Sequence, residues 1–145
     1  GYTLGYNHPL FSQRVHDVLS IASSTIFHEQ MPQSVHLVGV NGAGPIVAAA
    51  IASIPTGLAS AAIDTKGYRF ASITEIRDVN LLPGAVKYGD VPAVLALCSG
   101  TKLAVAGETA DSIRVAAAAF MAVGRELAFL PSENSEIAMV DWLLK

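Results

Sequence analysis

The sequence predicts an α/β fold built on a short, mainly parallel sheet of four strands, and three observations predict it. Four short apolar runs, at 35–40, 58–63, 103–106 and 127–130, have the length and residue types of buried strands. Segments with helical spacing or many alanines alternate with them, and such alternation gives parallel strands joined by right-handed crossovers. A glycine turn, Gly42-Ala43-Gly44-Pro45, joins the first run to the helix that follows it.

After Pro9, residues Phe11, Val15, Val18, Leu19, Ala22 and Ile26 recur at helical spacing, which predicts an amphipathic helix. Val35 to Val40 is β-branched and almost unbroken, the pattern of a strand buried on both faces. Ile46 to Ile54 reads as an alanine-rich helix stopped by Pro55 and Gly57. Leu58 to Ile63 is the second strand and ends at Asp64. The longer insertion from Asp64 to Leu103 predicts helices at Ile73 to Ile76 and Val91 to Cys98, around the loop Leu82-Pro83-Gly84. Leu103 to Ala106 is the third strand and leads into Gly107-Glu108. A helix from Asp111 to Val123 precedes the fourth strand, Leu127 to Leu130, which Pro131 stops. Ile137 to Leu144 closes the chain as a helix carrying Met139, Trp142 and Leu143.

The chain has 145 residues, 52% of them hydrophobic and 14% charged. That length fits one domain, and a charged share well below the roughly 25% usual for globular domains calls for extensive burial. No apolar run approaches the ~18 residues a membrane span needs. A net charge of -3 without a basic cluster argues against nucleic acid and against an anionic membrane surface as partner. Cys98 is a lone cysteine and no Cys/His group has zinc spacing, so neither an internal disulfide, a metal nor a cofactor is expected. The start at Gly1, without Met or a leader-like segment, predicts an excised or processed piece. The compartment stays open, with a secreted or periplasmic parent protein as one expectation.

In open parallel sheets the chemistry sits at the carboxyl ends of the strands, so the turn after Val38 is the first candidate site. It can be read as an anion-binding turn formed by Gly42, Ala43 and Gly44, with Asp64 placed to meet a ribose. The glycine spacing is G-x-x-G-x-G, and Pro45 removes one backbone N–H from the helix start. It can also be read as a nucleophile elbow, G-x-S-x-G, with Asn41 in the serine slot and Ala43 in the last glycine slot. An amide in that slot is not activated by a base as a serine is. Local structure accounts for the other polar residues. His8 caps or packs the first helix, and His36 is a hydrogen-bonded sheet histidine. Asp64 caps the turn 65–67. Lys87, Tyr88 and Asp90 cluster around Gly89, with Asp90 as an N-cap, and Cys98 is a small buried hydrophobe. Glu108 and Asp111 complement the dipole of the helix after the third strand.

The stretches Gly5-Tyr6-Asn7-His8-Pro9-Leu10-Phe11, Arg14-Val15-His16-Asp17, Val35-His36-Leu37-Val38-Gly39, Ala43-Gly44-Pro45 and Leu82-Pro83-Gly84-Ala85-Val86-Lys87-Tyr88-Gly89 resemble the C-terminal half of bacterial α/β-hydrolase domains of the acetyl xylan esterase or dienelactone-hydrolase-like type. The resemblance covers nearly the whole chain, 1–145, and implies a half domain holding strands five to eight of the hydrolase sheet. It implies an acid after the third strand here, where Glu108 and Asp111 stand, and a histidine after the fourth. The latter segment reads Pro131-Ser132-Glu133-Asn134-Ser135, without one, and the four histidines lie at 8, 16, 28 and 36. The expectation is a degenerate copy: a non-catalytic, structural or interaction domain of a larger carbohydrate-ester hydrolase. It would associate with the missing N-terminal half or with itself through the open side of the strand at 35–38 or the bare sheet face. Two alternatives stay open, an esterase completed by residues outside the chain and a nucleotide-binding module using Gly42 to Gly44.

Overall fold

The computed structural model describes residues 8–30, 32–54 and 56–145. The Gly5-Tyr6-Asn7 part of the first motif and the helix stop at Pro55 lie outside them. Helix α1 spans Leu10–Ile26, strand β1 His36–Gly39, α2 Gly44–Ser53, β2 Ser60–Asp64, α3 Asp90–Leu97, β3 Lys102–Ala106, α4 Arg114–Ala122, β4 Ala128–Phe129 and α5 Ser135–Leu143. Short 3-10 helices lie at Phe70–Ser72 and Cys98–Gly100. The strands are all parallel in the order β1-β2-β3-β4, with Val38 opposite Ala62 and Ala62 opposite Ala104. The α/β architecture with a short parallel sheet is therefore present.

Side-chain alternation along β2 and β3 splits the core into two layers. Ala61, Ile63, Leu103 and Val105 face α1 to α4, where Phe11, Ile51, Leu95, Ile113 and Phe120 pack on them, all buried. Ala62, Ala104 and Ala106 face the opposite way and are covered by α5 through Met139, Trp142 and Leu143. Small strand residues on both sides let helices settle close to the sheet. The tightest approach is at Gly44, where a Cβ would collide with the Asp64 carbonyl oxygen. Gly44 is thus required by the approach of α2 to the end of β2.

Two sequence expectations need correction. The strand at 35–40 is not buried on both faces: His36 is exposed and Val38 is 44% exposed, because β1 is the edge of the sheet and α5 sits over β2 and β3 instead. Among the described residues no strand pairs with its outer side. Residues 73–76 form no helix. The backbone there is diverted because the Asp90 carboxylate accepts the N–H groups of Phe70 (2.8 Å) and Ala71 (2.9 Å), which fixes a 3-10 turn at 70–72 instead. The stripe on α1 faces inward as expected, with Phe11 and Ala22 buried and Val15, Val18, Leu19 and Ile26 half-buried, while Ile21, off the stripe, is exposed.

Candidate functional site

Each strand delivers the chain to a turn at its carboxyl end, and each of these turns contains a residue of positive φ: Asn41 (52°) after β1, Lys66 (49°) after β2, Gly107 (76°) after β3 and Asn134 (52°) after β4. Asn tolerates the left-handed region better than most side chains, so Asn41 followed by Gly42 (88°) turns the chain sharply from β1 into α2. This sharp strand-to-helix turn stands where the sequence placed an elbow. The Ala43 N–H closes it on the Val40 carbonyl at 3.0 Å, so Ala43 does not offer its N–H to a ligand as the sequence suggested. Gly42 lines a cavity of about 260 Å³ together with Pro45, Ile46, Thr65, Lys66 and Tyr68. The Tyr68 hydroxyl is buried without a hydrogen-bond partner among the described residues. Burial, then the nearby Asp78 and Asp90 carboxylates, push its pKa up to about 12, so it is held as a neutral donor.

Glu108 follows β3, at the position expected for an acid, but its carboxylate is fully engaged. Arg69 grips it bidentately, Nη1 to Oε1 at 2.6 Å and Nη2 to Oε2 at 2.7 Å. The Thr65 hydroxyl donates to Oε1 (2.7 Å) and the Ser112 hydroxyl to Oε2 (2.6 Å). The Glu108 side chain is 1% exposed. Burial works to raise its pKa, but the hydrogen bonds from Arg69, Ser112 and Thr65 together outweigh it and hold the carboxyl below the ordinary range. The same hydrogen bond raises the Arg69 pKa. The expected helix-dipole role for Glu108 and Asp111 is therefore corrected: α4 begins only at Arg114 and has no acid in its first turn, Glu108 serves an ion pair, and Asp111 lies exposed in the preceding turn.

Asp64 is buried at the end of β2. Its Oδ1 accepts the Lys66 N–H (2.8 Å), which caps the 65–67 turn as expected, and its Oδ2 accepts the Ser135 hydroxyl (2.9 Å) at the start of α5. Gly107 makes room for this pair of turns, since a Cβ there would lie 2.6 Å from the Lys66 nitrogen and 2.9 Å from Asp64 Oδ1. Asp64, Thr65, Glu108 and Ser135 are thus joined across β2, β3 and α5 by groups that satisfy one another.

The histidines are elsewhere. His36 lies at the amino end of β1, held by Ser60 (2.7 Å) and Ser34 (3.0 Å), while His8, His16 and His28 are exposed on or beside α1. Cys98 donates its thiol to the Ala48 and Val94 carbonyls at 3.3 Å, and burial pushes its pKa up to about 12. It is a packed thiol, not a nucleophile. Asp90 is not the N-cap the sequence suggested: Gly89 takes that place in the left-handed conformation, and Asp90, the first residue of α3 with φ 59°, spends its carboxylate on the Val91 N–H (2.6 Å) and on the 70–71 backbone. Lys87 lies over the Tyr88 ring at 5.6 Å, away from any cavity wall described above. No group of three or more His, Cys, Asp or Glu side chains is arranged to hold a metal among the described residues.

Arg69, Thr65, Ser112 and Ser135 were not singled out by sequence reasoning. A signal existed for Arg69: a carboxylate at a strand end facing a buried sheet needs a cation, and Arg69 follows the neighbouring strand. Ser135 carried none, since its partner lies 71 residues away. Comparison with family models, with curated proteins and with solved structures finds no match for the chain.

Proposed function

We propose that this chain is a non-catalytic, α/β-hydrolase-like half domain whose role is structural: it continues, through the free side of β1, the sheet of a preceding half domain or of a second copy. A larger carbohydrate-ester hydrolase is the protein it would serve. The observation that carries the reading is the divorce of shape from chemistry at the elbow. The turn at Asn41 is sharp, with positive φ at Asn41 and Gly42, yet its side chain is an amide, the acid is gripped by Arg69, and no histidine lines the cavity beside Gly42. Loss of nucleophile and base together removes most of the rate enhancement such a site supplies. Assay of the chain with p-nitrophenyl acetate tests this, with turnover at the background rate expected and turnover well above it contradicting the proposal.

A second reading draws support from the cavity beside Gly42: an esterase site completed by groups from another chain or segment could use the Gly42 amide toward a carbonyl oxygen. Supplying a partner half domain and regaining ester turnover favours it. The nucleotide-binding reading has less support, because the Ala43 N–H is spent within the turn, Pro45 has none, and Gly44 is buried against Asp64.

A further inference from the structure

We propose that the elbow is a site of spontaneous covalent modification, at which Asn41 is converted in the folded chain to aspartate and isoaspartate through a cyclic imide with Gly42. Asn41-Gly42 is the one Asn-Gly pair in the sequence; the other asparagines precede His8, Leu81 and Ser135. Both residues of the pair are exposed. The Ala43 N–H closes the turn, while no backbone carbonyl among the described residues accepts the Gly42 N–H, so the attacking nitrogen is not held by a backbone hydrogen bond. Nothing lies within 4 Å of where a Gly42 Cβ would stand, which leaves space for the backbone to swing onto the side chain.

The step balances with water as the co-reactant. The Gly42 nitrogen gives up its proton and bonds to Asn41 Cγ. The bond from Cγ to the amide nitrogen breaks, and that nitrogen leaves as ammonia with the proton. Water then opens the five-membered imide. Opening at Cγ leaves aspartate in a normal backbone; opening at the main-chain carbonyl leaves isoaspartate, with the chain now running through Cγ. Either product adds one negative charge just before α2, a helix without an acid in its first turn. Aspartate there complements the helix dipole. Isoaspartate adds a main-chain methylene inside the turn that Ala43 closes on Val40, and so disturbs the seat of Gly44 against Asp64.

Asn134 is the internal control. It has the same φ of 52°, but the next residue, Ser135, bears a side chain, is buried, and is tied to Asp64. Incubation of the folded chain at mildly alkaline pH in ¹⁸O-water, followed by peptide mapping that separates aspartate from isoaspartate, tests the proposal. Both products are expected at position 41, each carrying the isotope, at a rate roughly tenfold or more above that at Asn134, a difference of about 1.4 kcal/mol in barrier. Conversion at 41 no faster than at 134, or aspartate alone without isoaspartate, overturns it.

Discussion

The turns after β1 and β3 occupy equivalent places at the carboxyl ends of two strands that flank β2, and they are built on opposite terms. After β1 the conformation is special and the side chains are idle: Asn41 and Gly42 take positive φ and face solvent. After β3 the side chain is engaged to capacity, with Glu108 receiving four hydrogen bonds from Arg69, Thr65 and Ser112. The contrast teaches that one turn is fixed by its backbone conformation while the other is fixed by a buried carboxylate engaged to capacity. A carboxylate gripped by Arg69 is unavailable to orient a base, and a turn held by glycine geometry needs no reactive group to keep its form.

The largest expected effect breaks the β3 side. Arg69→Met leaves Glu108 buried without its cation and is expected to cost about 3 kcal/mol, the low end for a broken buried pair because Arg69 is itself 26% exposed. Denaturant melts of the single variant and of Arg69→Met/Glu108→Leu check it, with the double variant recovering much of the loss. Gly44→Ala, on the β1 side, forces α2 away from the Asp64 carbonyl and is expected to cost about 2 kcal/mol by overpacking, read as a lower urea midpoint at unchanged slope.

Much of the fold was legible because each strand is a short apolar run and each connection is local. β2, β3 and the helices after β1 and β3 lie within a few residues of where periodicity puts them. What was not legible depends on groups distant in sequence. Nothing in Ile73 to Ile76 says that Asp90 will capture the backbone just ahead of it, and nothing in Val35 to Val40 says that one face lacks a cover. At the site, Asn41 and Glu108 were visible as positions in a pattern, whereas Glu108's role depends on Arg69, 39 residues away.

A smaller effect sharpens the comparison through pH. The Glu108 pKa is lowered on folding, so its contribution is complete above the ordinary glutamate value, declines as the pH falls below it, and is gone once the pH passes its folded value. Glu108→Gln is expected to flatten the acid limb of a stability profile, measured as urea midpoints across the acidic range; an unchanged limb would place the acid sensitivity in other carboxylates. Smallest of all, Asn41→Ser trades one αL-tolerant residue for another less suited and is expected to cost about 0.5–1 kcal/mol. It is expected to leave p-nitrophenyl acetate turnover at background, because no histidine lines the cavity beside the turn to activate the new hydroxyl. Turnover in that variant would reveal a base in the chain.

The proposed structural role rests on β1 receiving a strand from elsewhere. The outer side of β1 has no partner strand among the described residues, and Val38 stands exposed beside it. Unpaired edges of this kind template further pairing. Light scattering of the purified chain over a concentration series tests this most directly. The account predicts a mass that climbs above the monomer with concentration and falls back when Val38 is replaced by Lys, whereas a monodisperse monomer at high micromolar concentration would contradict it.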